Sequence, residues 1–213
     1  MGTINQGLTG GFSGKVGTVV GANWKGINCM RSLASNHHDA KSLGQLGQRA
    51  KMDAVIHLLK PLKAFVRIGF KSLAINKSAF NAATSYNMTH AITGIYPDFS
   101  VDYSKVMISL GKLTGALNPV IMASVGSQIE FSWENNSSAI DAMANDLAVL
   151  VVYNIEKEQV VTLLGGNTRI DKNLTITLPE SFAGDEVQCY IAFQNANQRV
   201  ISDSLFVGNI LVM

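Results

Sequence analysis

Residues 10–32, GGFSGKVGTVVGANWKGINCMRS, place Lys15 directly after Gly14 in a run that also holds Gly11, Gly17 and Gly21. Glycine-rich loops with a lysine cradle phosphate on their backbone N–H groups, but that chemistry needs G-x-x-x-x-G-K-[ST], with the final hydroxyl on Mg²⁺. Here Gly10 and Gly11 lie too close to Gly14, and Val16 stands where the hydroxyl belongs. No apolar strand leads in and no helix obviously follows, so the spacing argues against a nucleotide site. A collagen-like repeat also fails, because Gly17 is followed by a four-residue step to Gly21 and the run has no proline. What remains is packing: without side chains at Gly11, Gly14, Gly17 and Gly21 another backbone can come close, with Trp24 as anchor. Whether that backbone belongs to the same chain or another copy stays open.

Other chemistry is thinner. His37, His38 and Asp39 are adjacent and cannot all face one ion without a further ligand, which neither cysteine is spaced to supply. His57 falls on an expected helix and His90 near a helix end, where histidines serve as surface or capping residues. Cys29 and Cys189, 160 positions apart, make no disulfide framework, and both lie in apolar stretches that suit buried free thiols. Cys29 has Arg31 nearby but no histidine beside it in sequence, and no G-x-S-x-G elbow is present. Glu156 and Glu158 sit in a turn-like IEKEQ. No catalytic constellation emerges, no metal or other cofactor is implied, and the expectation is a protein that is not an enzyme.

Charge is more informative. The formal net charge of +2 hides eleven Lys/Arg against Asp39 and Asp53 in residues 1–77, a net +9, and six against thirteen acids in residues 78–213, a net −7. Such asymmetry points to a charged partner, either nucleic acid or the acidic end of another copy. Hydrophobic content of 47% with 15% charged residues supports a buried core and a sparsely charged surface. The N-terminus lacks a basic region followed by an apolar run, and no window approaches a membrane span. The expectation is cytoplasmic synthesis without a signal peptide, with final residence in a virion or extracellular particle as one outcome.

These residues need elements to position them. KVGTVVGANW and INCMRSL read as two strands joined by a short hairpin at Lys25-Gly26. From Ser42 the period becomes helical, with Met52, Val55, Leu59, Leu62, Phe65, Val66, Phe70 and Leu73 on one broad face. Arg49, Lys60, Lys63, Arg67 and Lys71 share another face, which is either the solvated side of the helix, a contact with a neighbouring subunit or a phosphate-tracking stripe. Pro61 should kink or split the helix. A third helix is expected over 78–92 with Ser78 as N-cap, then a loop, then a strand at 105–110.

TGALNP (114–119) reads as a boundary, giving 1–114 as a Gly-rich β-hairpin plus basic helical region and 115–213 as a β domain. Ile129, Phe131 and Trp133 alternate with polar residues, as do Leu174, Ile176 and Leu178, and Val187, Cys189, Ile191 and Phe193. The run LAVLVVY (147–153) suits a central strand. The fold class is therefore α+β: a Gly-rich β segment and helical middle followed by an antiparallel sandwich whose pattern resembles immunoglobulin or fibronectin III modules.

GGFSGKVGTVVGANWKG with MRSL, QLGQRAKM and the later NPVI, FSWENN, LVVYN, GDEVQCYIAF and SDS resemble a family of uncharacterised proteins from Bacteroidetes and their phages, a domain of unknown function. The likeness spans nearly the whole chain. It implies the same three-part organisation, raises an association with phage-like particles, and brings no catalytic residues. Together these features favour a non-enzymatic structural protein that self-assembles with other copies into a filament, tube or virion component. Its contacts would be the Gly-rich segment and the basic front against the acidic back. The alternatives are a nucleic-acid-associated protein using the basic helix face and a ligand- or glycan-binding sandwich.

Overall fold

A turn at Gly17-Thr18 breaks the run that reads as one strand from Lys15 to Trp24. The structure is a computed structural model that describes residues 3–4, 10–24, 26–34 and 39–213, and it divides into the units Met1–Ser42 and Leu43–Met213. The first is a meander of β1 (Thr3–Ile4), β2 (Phe12–Val16), β3 (Val19–Trp24) and β4 (Ile27–Ser32), each antiparallel to the next. Val16 pairs with Val19, leaving a two-residue loop that opens with Gly17 at φ +57°. Two-residue hairpin loops take such left-handed turns because their twist matches the strands, and glycine enters them without steric cost. The second hairpin is where the sequence puts it: Trp24 faces Ile27, and Gly26 has φ +86°.

The second unit starts with α1 (Leu43–Leu59), α2 (Lys63–Gly69) and α3 (Ala79–His90). Pro61 splits the first pair: α1 stops two residues before it, and residues 60–62 form a turn closed by Lys63 N–H donating to the Lys60 carbonyl, 3.3 Å. Val55, Leu59, Leu62, Phe65, Val66 and Phe70 are buried as the helical pattern requires, together with Leu58, whereas Met52 and Leu73 are exposed. Ser78 caps α3, its hydroxyl accepting from Asn81 N–H at 3.0 Å. A hairpin follows, β5 (Ile92–Ile95) and β6 (Asp98–Val101), turned at the cis Tyr96-Pro97 bond.

The remaining strands are β7 (Leu117–Ser124), β8 (Gln128–Glu134), β9 (Leu147–Asn154), β10 (Gln159–Leu163), β11 (Asn173–Thr177), β12 (Glu186–Gln194) and β13 (Leu205–Leu211). They form a three-stranded sheet, β11-β8-β7, and a four-stranded sheet, β10-β9-β12-β13, all antiparallel. Ile129, Phe131 and Trp133 of β8 pack against Leu150 and Val152 of β9 and Cys189, Ile191 and Phe193 of β12 in one core. Two antiparallel sheets with a shared inner core make a β-sandwich. On the other face of the four-stranded sheet, Val149, Val151, Tyr153, Tyr190 and Ala192 join the apolar residues of α1, α2 and α3 in a second core. This explains the unbroken apolar run in β9: its neighbours β10 and β12 cover its edges, and each face meets a different layer.

Helices and sandwich thus share a core within one unit. The division falls at residue 42, ahead of the 114 that the turn residues suggest; Leu117, Asn118 and Pro119 lie inside β7, at a register irregularity where a proline is tolerated. The expected strand at 105–110 is not formed. A short 3₁₀ turn, Tyr103–Lys105, leads into an irregular segment held in place largely by side-chain hydrogen bonds. Buried Asn87 accepts from Met107 N–H at 2.9 Å and donates to the Met107 carbonyl at 2.8 Å. The Ser204 hydroxyl accepts from Ile108 N–H at 2.9 Å, and Ser109 donates to the Ser202 carbonyl at 2.9 Å. These bonds do the work of a ladder without a neighbouring strand.

Candidate functional site

The N-terminal sheet presents large apolar side chains on both faces. Cross-strand pairing puts Lys15, Val20 and Arg31 in one row, Ala22 and Cys29 in the next, and Trp24 with Ile27 beyond, all on one face. The other face carries Phe12, Val16, Val19 and Met30. Trp24 is 55% and Met30 73% exposed, and Val16, Val19 and Ile27 are also open. Within this unit Gly21 is the buried residue among those whose burial is described.

The glycines divide by role. A Cβ on Gly21 would run into the Phe12 carbonyl oxygen and lie 2.6 Å from its ring, and one on Gly11 would sit 2.5 Å from the Asn28 carboxamide. At these two positions the closely approaching groups belong to the same chain. Gly14 (φ +104°) and Gly17 serve backbone conformations that other residues avoid. Trp24 lies on the open face next to the second turn.

The five residues of the expected basic face line three pockets. Lys60, Lys63 and Arg67 line one pocket with Ile56 and the start of α3. Arg49 lines another with Met52 and Asp53. Lys71 belongs to a third, where it meets Lys112 and Arg199. Lys112 and Arg199 carry no local signature in the sequence; only the tertiary fold brings them to Lys71.

Among the described residues, the buried charges Asp146 and Arg169 form a cluster that sequence reasoning misses. Arg169, wholly buried, donates Nη2 to Asp146 Oδ2 at 3.1 Å and to the Thr114 carbonyl at 2.8 Å. Its Nη1 reaches the Gly115 carbonyl at 3.1 Å and Asn136 Oδ1 at 2.6 Å. The guanidinium lies 3.9 Å from the centre of the Phe193 ring, and Trp133 Nε1–H donates to the Arg169 carbonyl at 2.9 Å. Burial pushes the guanidinium pKa down, opposed by the hydrogen bond and charge of Asp146. By these bonds the cluster fastens Thr114, Gly115 and Asn136 to the sandwich.

Burial pushes the Cys189 thiol up to about 12, so it is no nucleophile at neutral pH. Cys29 is exposed on the N-terminal sheet rather than buried. His57 lies 3.8 Å from both Asp53 and Glu158, and the His90 ring stacks on Tyr86 at 4.2 Å. Among the described residues no three His, Cys, Asp or Glu side chains converge as metal ligands; His37 and His38 lie outside the described residues. No described helix is long and apolar enough to cross a membrane.

Residues 11–208 match a family of unknown function, DUF6266. The chain belongs to this family. The match takes in residues of both units. No curated protein matches the chain. Among solved structures it is similar to the fn3 domain of human collagen alpha-1(XX) chain, with 11% identity over 47% of this chain and 85% of that one and a TM-score of 0.33.

Proposed function

We propose that this chain is a non-enzymatic structural subunit that assembles with copies of itself, as a component of a filament, tube or virion-like particle, through its N-terminal sheet. The observation that carries this reading is a four-stranded sheet with Trp24 and Ile27 exposed on one face and Val16, Val19 and Met30 on the other. Small antiparallel sheets gain their stability by burying at least one apolar face, and exposed apolar patches of this kind mark interaction sites. A neighbouring copy supplies the cover.

Charge supports a head-to-tail arrangement. The Trp24 face carries Lys15 and Arg31. The outer face of β11-β8-β7 offers exposed Val120 and Met122 beside Glu130 and Glu134. An apolar face with two cations against an apolar face with two carboxylates makes a heterologous contact, which yields a ring where it closes and a filament where it does not. The pairing of a three-stranded sheet, β11-β8-β7, with a four-stranded one, β10-β9-β12-β13, supports reading the sandwich as immunoglobulin or fibronectin III-like.

Light scattering and electron microscopy of the full chain test the proposal. The expected result is particles many chains in size, reduced to single chains by Trp24→Ser with Ile27→Ser, and likewise by removal of residues 2–26 with the sandwich still folded. A full chain that stays monomeric at all concentrations sinks the reading. The nucleic-acid alternative retains Lys60, Lys63 and Arg67 as a cluster; a mobility shift that weakens steeply with added salt would favour it.

A further inference from the structure

Three segments of the second unit enclose a pocket of about 550 Å³: the end of α2 with the 3₁₀ turn Lys71–Leu73, the stretch 110–112, and the β12–β13 connection at 199–201. Its walls are mostly apolar, from Ile68, Leu73, Leu110, Val200 and Ile201. Lys71, Lys112 and Arg199 are the charged residues of its lining, with no carboxylate among the described residues that line it. None of the three forms an ion pair among the described residues.

The pocket is built from backbone that cannot easily shift. Leu110 N–H donates to the Gly69 carbonyl at 2.9 Å, and the Ser72 hydroxyl to the Leu110 carbonyl at 3.2 Å. Gly111 N–H donates to Asp203 Oδ1 at 2.9 Å, and Leu113 N–H to the Ile201 carbonyl at 3.3 Å. Gly111 lies so close to Ile201 that a Cβ there would run into its carbonyl oxygen. All three walls are therefore tied to one another before any ligand arrives, which lowers the ordering cost of binding.

Size, apolar walls and a few polar groups are the marks of a small-molecule site. Three like charges beside an apolar surface repel one another, and an anion among them replaces repulsion with charge-assisted hydrogen bonds. We propose that this pocket binds a single-chain amphiphilic carboxylate, its head among Lys71, Lys112 and Arg199 and its hydrocarbon on the apolar walls. Neither half suffices alone: a short anion leaves the walls wet, and an uncharged tail leaves the cations unpaired.

Calorimetric titration of the full chain with dodecanoate, below its micelle concentration, tests this. Dodecanoate is expected to bind at one site, with dodecanol and acetate each weaker by about tenfold or more. Lys112→Gln with Arg199→Gln should weaken dodecanoate by a similar factor at an unchanged melting temperature, while Arg199→Lys retains most of the affinity. These side chains are exposed, so the folded state survives their replacement. Absence of dodecanoate binding, equal binding of dodecanol, or unchanged affinity in the double variant would each overturn the proposal.

Discussion

Arg169 and Asp146 form an ion pair, Nη2 to Oδ2 at 3.1 Å, from which solvent is fully excluded on both sides. Asp146 spends its other oxygen without a partner among the described residues, while Arg169 satisfies four further acceptors and donors around it. Removing one charge therefore strands the other in an apolar interior. Asp146→Ala is expected to destabilise the second unit by about 3–5 kcal/mol, read from the urea midpoint. A loss below about 1 kcal/mol would mean that water reaches the guanidinium.

Trp24 and Trp133 are the two tryptophans, one exposed and one buried. If neighbouring copies cover the Trp24 face, emission should shift to shorter wavelength as protein concentration rises. Trp24→Phe should abolish the shift, since Trp133 keeps its surroundings. Emission independent of concentration in the unaltered chain counts against that face as the contact.

Gly21 and Phe12 pack too closely for a side chain at position 21. Gly21→Val should disrupt the N-terminal sheet, detected as faster proteolysis before residue 42, while leaving the melting of the second unit unchanged. Gly111→Ala, which collides with the Ile201 backbone, should have the opposite distribution, lowering the melting temperature of the second unit.

Asp185 is held below the usual carboxylate range by its hydrogen bond from Lys157 and then by that from Asn154. Asp171 is lowered by the Thr168 hydroxyl and backbone. The folded state thus binds these protons more weakly than the unfolded chain does. Their stabilisation is present above the unfolded value, about 3.9, and disappears as pH falls through the lower folded value. Urea midpoints taken from neutral pH down into the acid range should fall less steeply for Asp185→Asn than for the unaltered chain. Equal slopes would show that the Lys157 contact contributes nothing.

Much of the sandwich is legible in the sequence because strand alternation maps onto burial, as at Ile129, Phe131 and Trp133; in β12 it sorts Val187, Cys189, Ile191 and Phe193 into the sandwich core while Tyr190 and Ala192 are buried on the helix side. The Ser78 cap and the break at Pro61 are likewise local chemistry. Gly17 hides its turn, since Val16 and Val19 continue a β pattern through it. The irregular 106–112 segment is illegible for a different reason: its partners, Asn87, Ser202 and Ser204, lie far away in the chain. The same holds for the candidate sites. Glycine spacing signals close packing, but not that Phe12 and Asn28 fill the space at Gly21 and Gly11. A helical wheel groups Arg49, Lys60, Lys63, Arg67 and Lys71, whereas in the structure they line three pockets, and Lys71 shares one with Lys112 and Arg199.

The two-sided burial of β9 has a thermodynamic consequence. Val149 and Val151 belong to the core under the helices, Leu150 and Val152 to the core inside the sandwich, and one strand cannot leave half of itself behind. Loss of either core pulls apart the other, so the region from Leu43 onward should melt in a single cooperative transition, with equal calorimetric and van't Hoff enthalpies. Helices and sandwich, which a reader of the sequence separates at a loop, are bound into one unfolding event by the four consecutive residues 149–152.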